Sequence, residues 1–82
     1  MWYTYIIKSQ NKKWYYVGST NGLERRLKEH NFGKVKSTKN YLPFKIIFTK
    51  EFILEEEARN YERLLKDKRI EKERIIKEFE NK

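Results

Sequence analysis

The sequence predicts an α+β fold: a three-stranded antiparallel sheet flanked by helices, ordered β-β-α-β-α with a short C-terminal helix after it. Three observations predict it. Two aromatic and β-branched runs are separated by a short polar stretch; a third such run follows a basic loop; and apolar residues recur at helical spacing after the second and third runs.

Residues 2–8 (Trp-Tyr-Thr-Tyr-Ile-Ile-Lys) and 14–18 (Trp-Tyr-Tyr-Val-Gly) read as the arms of a β-hairpin around the polar stretch 9–13. A loop centred between Gln10 and Asn11 would set Tyr5 opposite Tyr16. Asn21 and Gly22 then open a helix over about 22–31, where Leu23, Leu27 and His30 share a stripe until Gly33 ends it. Residues 34–43 are basic and polar and form a surface loop closed by Pro43. Phe44–Thr49 is the third strand, and its Ile-Ile-Phe run suggests burial on both faces and a central place in the sheet. Leu54, Ala58, Tyr61 and Leu65 form the apolar face of a helix running to about Arg69. After a phase break near Lys68–Glu71, Ile70, Ile75, Ile76 and Phe79 continue the apolar pattern into a last helix or a bent extension.

With 82 residues, the chain reads as a single domain, 1–82, with a core over about 2–69 and a helical extension over about 70–81. Only 38% of the residues are apolar and 39% are charged, so the 16% that are aromatic must supply much of the core. The absence of cysteine excludes disulfides, thiol catalysis and Cys-ligated zinc. No apolar run approaches the roughly 20 residues of a membrane span. The N-terminus also lacks a signal-peptide layout, so a cytoplasmic protein with no membrane partner is expected.

The net charge of +8 favours an anionic partner, and its distribution is uneven. Residues 1–50 carry eleven Lys/Arg against only Glu24 and Glu29, whereas residues 51–82 carry nine against ten Asp/Glu. The basic surface therefore belongs to the first half, and Arg25, Lys34, Lys36 and Lys39 are the candidate nucleic-acid contacts.

Glu62 is out of place on its helix. It stands one turn after Ala58 and about 60° from Leu65, within the stripe that faces the core. A carboxylate there needs a cation, a hydrogen-bond donor or a metal ion. One reading is a structural ion pair with an arginine; the other is a metal ligand. Arg26 and His30, four residues apart, are neighbours on one flank of the leucine stripe. Tyr5 and Tyr16 are either cross-strand packing partners or hydroxyl donors to a site. Together Arg, His, Glu and two Tyr hydroxyls are the groups a phosphodiester nuclease requires: a charge clamp, a proton relay, a hard-metal ligand and a means of activating water.

These residues, in this order, resemble the GIY-YIG nuclease superfamily. Tyr3-Thr4-Tyr5 is followed after ten residues by Tyr16-Val17-Gly18; Arg26 stands ten positions after Tyr16; and Glu62 closes Glu57-Ala58-Arg59-Asn60-Tyr61-Glu62. The run Tyr16–Asn31 is similar to the small stand-alone bacterial branch, and the likeness covers about residues 2–69. It implies a GIY-YIG fold and one divalent ion, Mg²⁺ or Mn²⁺, bound through Glu62. It further implies that Tyr16 helps deprotonate the attacking water or acts as nucleophile, that Tyr5 and His30 support proton transfer, and that Arg26 holds the scissile phosphate.

Three positions depart from the family pattern. The first triplet reads Tyr-Thr-Tyr, which keeps Tyr5. Ser19 stands where the repair-nuclease branch has a lysine, a charge that Lys34, Lys36 or Lys39 could supply. Arg74 occupies the spacing of a family Asn, leaving that role unfilled. The resemblance implies an endonuclease acting on duplex or branched DNA, structure-specific and linked to repair or recombination, with a protein partner supplying targeting. The residues leave RNA as substrate and the oligomeric state open. The alternatives are a nucleic-acid-binding module on the same fold with weak or lost catalysis, and an interaction protein whose basic face serves solubility.

Overall fold

The computed structural model describes residues 1–81; Lys82, the last residue of the expected domain, lies outside them. Strand β1 spans Trp2–Ser9, β2 Tyr15–Thr20 and β3 Phe44–Phe52, while helix α1 spans Leu23–Asn31, α2 Glu55–Asp67 and α3 Arg69–Glu80. All three strands are antiparallel, in the order β2-β1-β3. The expected α+β class and element order are observed.

The centre of the sheet is β1, not the third strand as its apolar run suggests. Thr4 to Ile7 are buried without interruption, as a strand covered on both faces must be. The apolar run of β3 has a different cause. Its pairing with β1 slips between Ile6 and Ile7, so that Ile6 faces Phe48 while Ile7 faces Ile46. This irregularity lets both Ile47 and Phe48 pack on one side of the sheet while Ile46 packs on the other.

The hairpin register also differs from expectation. Tyr5 pairs with Gly18, and Ile7 with Tyr16. The Ser9 amide closes onto the Trp14 carbonyl, and the Ser9 hydroxyl accepts from the Asn11 and Lys12 amides at 3.2 and 3.1 Å. This serine-organised loop is centred one residue later than predicted, which moves the partner by two residues and keeps side-chain faces unchanged. Tyr5 and Tyr16 therefore still share a face, as diagonal neighbours.

Each face of the sheet has its own core. Tyr5, Ile7 and Phe44 pack with Trp14, Tyr16, Leu23 and Leu27, against α1. Ile6 and Val17 pack with Leu65, Ile75 and Tyr61, under α2 and α3. The buried Thr4 hydroxyl donates to the Ala58 carbonyl at 2.7 Å and docks α2 on β1. Helix α1 ends at Gly33, whose φ of +74° is left-handed and favours glycine. At the start of α2, Glu57 reaches back to the Leu54 amide at 3.2 Å. Leu54 is thus the N-cap and 58% exposed, outside the stripe to which its spacing assigned it. Ile70 is likewise exposed, in the first turn of α3, because the chain re-phases at Lys68. Among the described residues, no helix is long and apolar enough to cross a membrane.

Candidate active site

The two tyrosines and the histidine meet on the α1 face. The Tyr5 hydroxyl lies 3.0 Å from His30 Nε2, and both residues are buried. The Tyr16 ring sits 6.5 Å from that of Tyr5 and 5.2 Å from that of His30, between centroids. Gly18 makes the approach possible, because a Cβ there would lie 2.5 Å from the Tyr5 hydroxyl oxygen and 3.1 Å from the Tyr16 ring. Behind His30, Nδ1 lies 2.8 Å from the Thr38 hydroxyl.

Arg26, one turn before His30, donates to Glu29 at 3.0 Å, and its charge is felt at the Tyr5 hydroxyl. Burial works against its charge, but the Glu29 hydrogen bond and the nearby Tyr5 hydroxyl outweigh it and hold its pKa above the ordinary arginine value. Burial pushes the Tyr5 hydroxyl up to about 12, partly offset by the neighbouring Arg26 guanidinium. Burial, reinforced by the Arg26 charge, lowers His30 to about 4. At neutral pH Tyr5 is thus a protonated donor and His30 an uncharged imidazole able to accept.

Glu62 comes from the other layer. One carboxylate oxygen accepts from the Ser19 hydroxyl and the other lies 2.6 Å from Lys66 Nζ. Its partners are thus a serine and a lysine one turn on, not the arginine of the structural alternative, and the side chain is 19% exposed rather than sealed in the core. Ser19 and Tyr16 point to opposite faces of β2, but β2 is an edge strand, and the site wraps around that edge. Lys66 Nζ lies 5.8 Å from the Tyr16 ring centroid, and the Glu62 charge is felt at Tyr5.

Three site groups escaped the sequence reading. Ser19 looked like a lost lysine, yet it holds Glu62. Lys66 brings positive charge to Tyr16 from α2, a role assigned above to the loop lysines. Thr38 stood in a loop with few anchors, but its side chain is fully buried. Of the expected nucleic-acid contacts, Arg25 is tied to Asn21 at 3.0 Å and Lys34, Lys36 and Lys39 are exposed on the α1–β3 loop. A cleft of about 810 Å³ is lined by Lys13, Tyr15 and α3 and includes none of Tyr5, Tyr16, Arg26, His30 and Glu62.

A family model described as the GIY-YIG catalytic domain matches residues 1–80. The chain belongs to the GIY-YIG family. Among its GIY-YIG relatives is a UPF0213 protein of Streptococcus pneumoniae serotype 4, 41% identical over 78 residues that cover 93% of this chain and 78% of that protein. The UPF0213 protein YazA of Bacillus subtilis is 39% identical over 79 residues, covering 94% and 79%. The solution NMR structure of the UPF0213 protein BH0048 from Bacillus halodurans superposes with a TM-score of 0.56 at 34% identity, over 94% of this chain and 84% of that one. GIY-YIG domains form a nuclease family whose members typically use a divalent metal.

The donor set fits such an ion. Among the described residues, no three His, Asp or Glu side chains cluster into a cage. Mg²⁺ suits a site of one or two carboxylates completed by water and phosphate oxygens, which a single, partly exposed Glu62 provides.

Proposed function

We propose that this GIY-YIG chain, acting as one domain over residues 1–82, is an endonuclease that hydrolyses DNA phosphodiester bonds with one Mg²⁺ or Mn²⁺. The observation that carries the reading is the Tyr5–His30 hydrogen bond beside Tyr16 and Arg26, which pairs a protonated donor with a neutral acceptor next to a guanidinium. Arg26 exchanges Glu29 for a non-bridging phosphate oxygen, a charge-assisted contact suited to holding the scissile group. Tyr16, whose ring lies near both His30 and the Lys66 ammonium, orients the attacking water. Tyr5 donates to His30 beside the Arg26 charge. Glu62 would hold the ion, which when bound neutralises phosphate charge and acidifies water. Structure-specific cutting in repair or recombination, with targeting by a partner, is part of the proposal.

The test is a cleavage assay with and without Mg²⁺ or Mn²⁺ over labelled duplex, nicked, flap, branched and RNA substrates, run beside Glu62→Ala to exclude contaminating nuclease. Metal-dependent cutting that the variant lacks supports the reading. Binding without cutting on every substrate would replace it with the binding module.

A further inference from the structure

The α1–β3 loop sends one side chain, Thr38, into the site from behind. Its hydroxyl oxygen lies 2.8 Å from His30 Nδ1 and 3.3 Å from the Val35 carbonyl oxygen, and both Thr38 and His30 are fully buried. A carbonyl can only accept, so the Thr38 hydrogen goes to Val35 and the Thr38 oxygen is left to accept from Nδ1–H. An uncharged imidazole with hydrogen on Nδ1 has a bare Nε2, the atom 3.0 Å from the Tyr5 hydroxyl. Nε2 then has no hydrogen to give, so the Tyr5 hydroxyl is the donor across that contact. The Val35 end sets one direction for the relay: Tyr5 to His30 to Thr38 to the Val35 carbonyl. Reversing it would leave the buried Tyr5 hydrogen without its acceptor, and among the described residues no buried side-chain polar atom lacks a partner.

We propose that Thr38 is a positioning residue that locks His30 in the Nδ1–H tautomer, keeping the Nε2 lone pair on the Tyr5 hydroxyl. The tautomer follows from the hydrogen-bond geometry alone. Its value to catalysis rests on the nuclease reading above, in which His30 must accept at Nε2. Thr38 also lies between Lys36 and Lys39, so the segment that carries the phosphate-facing lysines is the one that sets the histidine.

His30 is the single histidine of the chain, so ring ¹⁵N labelling gives one unambiguous pair of nitrogen resonances. At pH 7 long-range ¹H–¹⁵N spectra should show a protonated Nδ1 and a bare Nε2. Thr38→Val keeps the shape but removes the acceptor, and should give mixed or reversed protonation. Thr38→Ser should restore the wild-type pattern. In the cleavage assay Thr38→Val should lose about tenfold in kcat with KM unchanged, less than the 10²–10⁴ that a general acid or base itself contributes. A wild-type spectrum with Nε2 protonated overturns the proposal even if Thr38→Val does not fold, as does an unchanged Nδ1–H pattern in a folded Thr38→Val protein. A confirmed tautomer in a protein that cuts no substrate would instead leave the positioning role standing and the nuclease reading refuted.

Discussion

Lys66 Nζ, one turn further along α2, lies 2.6 Å from a Glu62 carboxylate oxygen, so any cation held by Glu62 would have to share that carboxylate with it. The ammonium is half exposed and swings on a long chain, so the pair is one of modest strength. A cation entering the proposed site would compete with Lys66 for Glu62 and would leave Lys66 free to face Tyr16, whose ring centroid is 5.8 Å away.

That competition sets the first prediction. Lys66→Gln should tighten divalent-ion binding, since an exposed lysine–carboxylate pair is worth about 0.2–1 kcal/mol, equivalent to a gain of up to about fivefold in affinity. Calorimetric titration with Mn²⁺ measures it. Unchanged or weaker binding would show that Lys66 is no competitor of the ion.

Glu62→Ala should abolish cleavage and leave DNA binding intact. Its effect on stability should be small, within about 1 kcal/mol either way, because the carboxylate is partly solvated and pairs with a flexible lysine. Removing it also replaces a middling position with the best helix former. A buried structural ion pair would instead cost about 3–5 kcal/mol on deletion. Melting curves without metal, beside a filter-binding measurement, separate the two.

Much of the fold was legible because period and composition agreed. Leu65 and Ala58 are buried at the spacing that assigned them, and Gly33 ends α1 where a left-handed residue was needed. The errors share a cause: each concerns a tertiary neighbour rather than a local preference. The Ile46–Phe48 run encodes a slipped strand pair beneath two helix layers, which mimics a central strand in one dimension. Leu54 satisfies the helical period yet lies one residue before the helix, where Glu57 caps its amide. At the site, the spacing of Tyr5, Tyr16, Arg26 and His30 was readable, while Thr38, Ser19 and Lys66 were not. Their roles depend on which atom faces which across elements distant in sequence.

His30 makes folding stability depend on pH. Its pKa in the folded chain is about 4, lowered by burial and by the Arg26 charge against a small opposing pull from Glu29, and an unfolded histidine titrates near 6.5. Below about pH 6.5 the unfolded chain takes a proton that the folded chain refuses, so stability is full above that value and falls as pH drops towards 4. Between pH 6.5 and 5 the loss should be roughly 2 kcal/mol, or ~10 °C in Tm. Thermal melts of wild type and His30→Asn over that window test it; equal slopes would exclude His30 as the source.

Nucleic-acid binding should fall steeply with salt. If Arg25, Lys34, Lys36 and Lys39 each neutralise one phosphate, the slope of log K against log salt should be about −3.6 on duplex DNA, a loss of about a hundredfold between 50 and 200 mM. Lys36→Ala should flatten the slope by about 0.9, with little change in sequence preference. Equal affinity at the two salt concentrations would remove the basic loop from the interface.

Gly18 offers the sharpest test of the site's geometry. Its backbone is not in the left-handed region, so the demand for glycine is steric: an added Cβ meets the Tyr5 hydroxyl oxygen at 2.5 Å, its Cζ at 2.6 Å and the Tyr16 ring at 3.1 Å. Tyr5 cannot retreat, because its ring is buried in the cluster with Ile7 and Phe44 and its hydroxyl abuts His30. Gly18→Ala must therefore push the hydroxyl off Nε2 or spread β1 from β2. Overpacking of this kind costs about 1–3 kcal/mol, which should lower Tm by roughly 5–15 °C. Cleavage should fall further, by about a hundredfold, because a displacement near 1 Å at the reacting groups is enough for that. Gly22→Ala is the control: its Cβ would meet only the movable Arg25 guanidinium, at 3.4 Å or beyond, on extended backbone. Its cleavage rate should stay close to wild type, and its melting temperature should fall less than that of Gly18→Ala, since the only cost is that alanine caps α1 more poorly than glycine. If Gly18→Ala behaved like Gly22→Ala in both measurements, the Tyr5–His30 contact would not be what the site depends on.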